Sequence, residues 1–142
     1  MTTLRGNVIF GGPRAGVEFT DAMVGGHLME GNLLFDLTRE TTDHGPFNSW
    51  GRVPFVRPVD LAELSAPGRP MFKQRMGHSA VTPRPAQSRL TRNMIICNWE
   101  CTWPIDHDDG SQEYHDSHNL LYYGGAKNFL GRNKNSSHNI YM

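Results

Sequence analysis

Asn93-Met94-Ile95-Ile96-Cys97 is an asparagine that opens a short apolar run, and the chain repeats that pattern four more times. The other copies are Asn7-Val-Ile-Phe10, Asn32-Leu-Leu-Phe35, Asn119-Leu-Leu-Tyr-Tyr123 and Asn139-Ile-Tyr141. Asn7 and Asn32 are 25 residues apart, Asn93 and Asn119 are 26 apart and Asn119 and Asn139 are 20 apart, while the 61 residues from Asn32 to Asn93 hold an insertion. Periods of this size belong to units that cannot bury an apolar face alone and stack on their neighbours. Each run is short, partly β-branched or aromatic, and bounded by turn residues such as Gly11, Asp36 and Gly124, which favours strands over helices. The pattern predicts an all-β chain wound as a right-handed parallel β-helix, a solenoid with one coil per repeat. Strands are expected at Val8 to Phe10, Leu33 to Phe35, Met94 to Cys97, Leu120 to Tyr123 and Ile140 to Tyr141, parallel and stacked. The asparagines are expected to share one corner and to form a hydrogen-bonded ladder. An ordinary β-sandwich with asparagines in its turns is the other arrangement this pattern permits.

Length and composition fit a single domain over residues 1–142. Fourteen basic residues balance fourteen acidic ones, so there is no basic footprint for nucleic acid. Fifteen glycines and nine prolines suit many tight corners. No apolar stretch approaches the roughly 20 residues a membrane-spanning helix needs, and no signal-peptide core opens the chain. The repeat begins near residue 6 and His138-Asn-Ile-Tyr-Met142 stops in mid-strand, leaving at most five coils. That predicts an incomplete solenoid without caps: a fragment of a longer β-helix, a short form, or one partner in an assembly whose uncapped ends stack on other protein chains.

Between residues 53 and 92 the texture changes. Pro54, Pro58, Pro67, Pro70, Pro83 and Pro85 break any ladder, and Arg57, Arg69, Arg75, Arg84, Arg89 and Arg92 make the segment basic. It reads as a long loop projecting from one coil, with a single helical turn at Asp60-Leu-Ala-Glu-Leu64. The two cysteines, Cys97 and Cys101, would lie about 13 Å apart on one extended strand, too far for a disulfide. No second well-spaced pair completes a zinc site, so they are expected to be free thiols.

Two polar clusters carry the chemistry. In Trp103-Pro-Ile-Asp106-His-Asp108-Asp109-Gly-Ser111, an extended chain puts Asp106 and Asp108 on one face and turns Asp109 to the other. Three readings stand: paired carboxylates for glycoside hydrolysis, with Asp109 as helper; a calcium site built on Asp106 and Asp108, although an EF-hand's later positions are unfilled; and a polar turn. The second cluster is Arg39-Glu40-Thr-Thr-Asp43-His44-Gly-Pro-Phe-Asn48-Ser-Trp50. Here Asp43 and His44 form a proton-handling pair, Asn48 and Arg39 can bond hydroxyls or carboxylates, and Trp50, Trp103, Tyr114 and Tyr123 offer flat faces to sugar rings.

Four strings resemble those of a family of right-handed parallel β-helix proteins with a pectate-lyase-like fold. They are Gly12-Pro-Arg-Ala-Gly-Val-Glu-Phe-Thr-Asp21, Asp43-His-Gly-Pro-Phe-Asn-Ser-Trp50, Asp106-His-Asp-Asp-Gly-Ser111 and Tyr123-Gly-Gly-Ala-Lys127. The resemblance implies an extracellular or secretory-pathway protein grouped with carbohydrate-active β-helices that hydrolyse or eliminate glycosidic bonds. Gly51 stands where that pattern has Asp after Trp, and Gly12 and Thr20 stand where Asn is usual, which implies a weakened or lost activity. The expected function is a β-helix that binds a polysaccharide in a surface groove, with cleavage by hydrolysis or elimination left open, and without a cofactor or with Ca2+. The alternative is a non-enzymatic structural or adhesive β-helix that associates with other chains.

Overall fold

The computed structural model describes residues 1–20, 25–51, 86–99 and 101–142. Every regular element among them is a strand. The first coil holds β1 (Thr3–Arg5), β2 (Val8–Phe10) and β3 (Val17–Thr20), and the second holds β4 (Leu28–Glu30), β5 (Leu33–Phe35) and β6 (Phe47–Trp50). The third comprises β7 (Ser88–Thr91), β8 (Met94–Ile96) and β9 (Ile105–His107), and the fourth β10 (Tyr114–Ser117), β11 (Leu120–Tyr122) and β12 (Ala126–Asn128). Two strands, β13 (Lys134–Ser137) and β14 (Ile140–Tyr141), begin a fifth. Each strand pairs in parallel with its counterpart one coil away. Three sheets result, ordered β1-β4-β7-β10-β13, β2-β5-β8-β11-β14 and β3-β6-β9-β12. This is a parallel β-helix, and all five expected strands stack in the second sheet.

The ladder forms as the sequence predicts. Asn7, Asn32, Asn93 and Asn119 each donate from both the backbone N and Nδ2 to the Oδ1 of the asparagine in the next coil, at 2.9 to 3.0 Å. The Nδ2 atoms of Asn32, Asn93 and Asn119 also donate to a carbonyl of the preceding coil, namely Leu4, Met29 and Leu90. The residue before each asparagine makes this corner possible. Gly6, Gly31, Arg92, His118 and His138 all have φ between 54° and 65°, the left-handed conformation that turns the chain from the first sheet into the second.

Alternation along the strands sets the interior. Met29 and Leu90 of the first sheet, Leu34, Ile95 and Leu121 of the second, and Phe47 and Ile105 of the third fill one buried apolar cluster. Their neighbours face outward. The chain from Ser88 to Thr91, which the sequence reading placed in the loop, is strand β7, and its Leu90 lies in the core. Residues 53–85 of that loop, with the helical turn at residues 60–64, lie outside the described residues.

The cysteines are a correction. Cys97 and Cys101 form a disulfide, with their Cα atoms 5.3 Å apart. The expected strand ends at Ile96 and the chain turns, with the Cys101 N donating to the Asn98 carbonyl at 3.2 Å and to Asn98 Oδ1 at 3.1 Å. Asn98 thus supplies the turn that the strand geometry left out.

Candidate functional site

The outer face of the third sheet collects the polar chemistry. Register aligns Glu18 of β3, Asn48 of β6, Asp106 of β9 and Lys127 of β12 in one column. Alternation with the core residues Phe47 and Ile105 turns the column to the other side of the sheet, where Asn48 and Asp106 are nevertheless fully buried beneath their neighbours while Lys127 and Asp108 keep some exposure. Asn48 Nδ2 donates to Asp106 Oδ2 at 3.1 Å. Lys127 Nζ lies 3.4 Å from Asp106 Oδ1 and 2.8 Å from Asp108 Oδ1. One ammonium therefore bridges two carboxylates, whose Oδ1 atoms cannot be farther apart than the sum of those distances. The extended spacing that put Asp106 and Asp108 on one face is what brings both to Lys127.

Electrostatics separates the roles of these groups. Burial raises the Asp106 pKa above its ordinary value, opposed by the Lys127 charge and aided by the Asp108 charge. For Lys127 burial works against the charged form, but the hydrogen bond it donates to Asp108 and the charges of both carboxylates outweigh it, and its pKa is raised. Lys127 is a standing cation, and Asp106 is a carboxyl biased toward keeping a proton.

Aromatic side chains wall this cluster. Lys127 Nζ sits 4.8 Å from the centroid of the Trp103 ring and 5.6 Å from that of Phe129. Trp103 is held by a close stacking of coils: a Cβ at Gly45 would come within 2.0 Å of the Trp103 carbonyl oxygen, so only glycine fits there. Trp50 donates from Nε1 to Glu18 Oε1 at 3.2 Å. Glu18 lies 3.9 Å from Arg14, whose Nη2 meets His44 Nε2. His44 Nδ1 is 3.9 Å from the Asp43 carboxylate. A polar strip thus runs from Asp43 and His44 through Arg14 and Glu18 to the column of Asn48, Asp106 and Lys127.

The remaining expected residues lie elsewhere. Tyr114 points into the core, its ring 4.3 Å from His107 and 6.2 Å from Phe47, so it offers no face to a ligand. Tyr123 is exposed at the corner after β11, edge-on to Tyr122. Arg39 pairs with Asp36 at 3.6 Å and lines a shallow hollow of about 330 Å3 with Gly11, Pro13 and Glu40. Asp109 is buried, and its carbonyl accepts from Gly51 N at 2.9 Å. Among the described residues no group of three or more His, Cys, Asp or Glu side chains is arranged to hold a metal. A calcium ion between Asp106 and Asp108 would have to displace Lys127.

Two features escaped the sequence reading. Trp99, 87% exposed, stands at the tip of the disulfide-closed turn. Inside the coil, Ser49 Oγ and His107 Nδ1 share a hydrogen bond of 2.7 Å, and His107 Nε2 and Asp116 Oδ2 share one of 2.8 Å. Ser111 Oγ completes the line 2.8 Å from Ser49. Ser49, His107, Asp116 and Ser111 are all buried on the core side of the coil, where this layer pairs every one of these polar groups except Asp116 Oδ1. The period-2 rule could have found it: if Asp106 and Asp108 face out, His107 faces in.

No protein-family model, curated protein or solved structure matches this chain. Nor is any helix among the described residues long and apolar enough to cross a membrane.

Proposed function

We propose that the protein is a carbohydrate-active β-helix that binds a polysaccharide across the outer face of the third sheet and cleaves it there. The observation that carries this reading is the single ammonium of Lys127 set between Asp106 and Asp108, with Asn48 on one carboxylate and Trp103 over the cation. Glycoside hydrolysis needs two carboxyl groups of unlike protonation. Asp106 is suited to be the acid, since burial favours its protonated form and proton transfer to the leaving oxygen restores the charge that Lys127 can neutralise. Asp108 is the second carboxylate, with Lys127 as its counter-ion.

The meeting of one oxygen from each carboxylate on a single ammonium keeps the two groups close, which favours a retaining pair, about 5 to 5.5 Å apart, over an inverting pair at about 6.5 to 9.5 Å. Asp108 would then attack the anomeric carbon, and water would release the sugar in a second step. Elimination is less well served, because Lys127 holds its proton and so is a poor base. The resemblance to pectate-lyase-like β-helices supports the carbohydrate class, and the disulfide supports an extracellular or secretory compartment, where such bonds persist.

Affinity electrophoresis against a panel of plant, algal and microbial polysaccharides tests the binding half of this reading. Retardation by at least one polymer is expected, and Trp103→Ala should weaken it severalfold while the melting temperature stays near that of the parent. Binding to no polymer, or undiminished binding by Trp103→Ala, would overturn the assignment of this face.

A further inference from the structure

The second sheet is apolar on both sides. Its inward column, Ile9, Leu34, Ile95 and Leu121, belongs to the core or packs against it. The residues on either side of that column face outward, and none on this sheet is charged. Val8 is 59% exposed, Phe10 62%, Met94 39%, Tyr122 37% and Ile140 62%. Phe10 and Phe35 stack across adjacent coils at 5.1 Å, with 8° between their planes. Scattered exposed apolar residues are ordinary, but a contiguous apolar face spanning all five strands is not.

We infer that this face is an interface between two copies of the chain, packed sheet on sheet about a twofold axis. Two observations select that occupant. First, the face is self-complementary: with no charge and no side chain reserved for a polar partner, it matches itself, as an isologous contact requires. Second, the size fits. The exposed parts of the outward residues amount to on the order of 600 Å2, close to the roughly 800 Å2 that each partner contributes to a standard interface, with the flanking Tyr123 and Met142 available to extend it. Strand β8 is the middle strand of the five, so Met94 lies near the proposed axis. The third sheet, with Asp106 and Lys127, is a different face of the coil and stays open in such a dimer.

Sedimentation equilibrium from micromolar to millimolar protein tests the inference. The parent chain should show a reversible monomer–dimer equilibrium, and Met94→Glu should weaken it at least tenfold, because two carboxylates would meet at the axis. Phe10→Lys, at the rim, should weaken it less. Circular dichroism and melting temperature establish that each variant is folded. As a second readout, Met94→Cys should form an interchain disulfide on mild oxidation. A parent chain that stays monomeric throughout would overturn the proposal, as would a dimer that persists in Met94→Glu. A monomer that instead co-sediments with phosphatidylcholine vesicles, losing this with Met94→Glu, would assign the face to lipid and would equally overturn it.

Discussion

At the scale of single residues, the asparagine corner is what the fold most depends on. Asn93 and Asn119 are buried, yet each has its amide satisfied from above and below. Replacing Asn119 by Leu removes the acceptor for Asn93 N and Nδ2 and the donors to Leu90 O and Asn139 Oδ1. Leaving buried backbone and amide groups without partners costs about 1 to 3 kcal/mol. Urea denaturation of Asn119→Leu should therefore show a lowered midpoint, and an unchanged midpoint would mean the ladder is decoration. The asparagines were legible because they recur at a fixed place before an apolar run. The left-handed residue before them was harder to read, since Gly6 and Gly31 give way to Arg92, His118 and His138, types that do not announce a positive φ.

At the scale of elements, the last strands differ from those before them. Leu4, Met29 and Leu90 form the inward column of the first sheet, but Asp116 and Ser136 continue it. Lys134 of β13 joins this polar end, donating to the Leu130 carbonyl at 2.5 Å. Burial lowers its pKa to about 8, although the charges of Asp116, Asp106 and Asp108 oppose the shift. The sign of the pH effect follows. Between about 8 and 10.5 the unfolded chain keeps the lysine proton that the folded chain has released, so stability rises with pH through that window. Chemical denaturation from pH 7.5 to 10.5 should show this rise in the parent and a shallower one in Lys134→Met. Identical slopes would place Lys134 in solvent. The apolar repeat foretold the second sheet strand by strand, because its period and its burial coincide. The first and third sheets were less visible: their strands, such as Ser88–Thr91 and Phe47–Trp50, mix polar residues that bond within the coil or face the site. Cys97 and Cys101 were misread for a related reason, as strand geometry was carried past Ile96 into a turn that Asn98 makes.

At the scale of the whole molecule, the coil turns distant sequence into a compact site. Asn48, Asp106 and Lys127 come from three coils and meet because one strand per coil is stacked in register. The two aspartates could be seen in the sequence as neighbours on one face. Lys127 could not, since nothing in Tyr123-Gly-Gly-Ala-Lys127 says which residues the next coil will lie beside. The most direct test is product analysis by mass spectrometry in 18O-labelled water, using whichever polysaccharide the folded protein binds. The parent should release oligosaccharides that each carry one labelled oxygen at the new reducing end, while Asp106→Asn and Asp108→Asn should bind the polymer and release none. Cleavage by Asp106→Asn at the parental rate, unsaturated products without the label, or no cleavage by the parent would contradict the assignment of Asp106 and Asp108 as a hydrolytic pair.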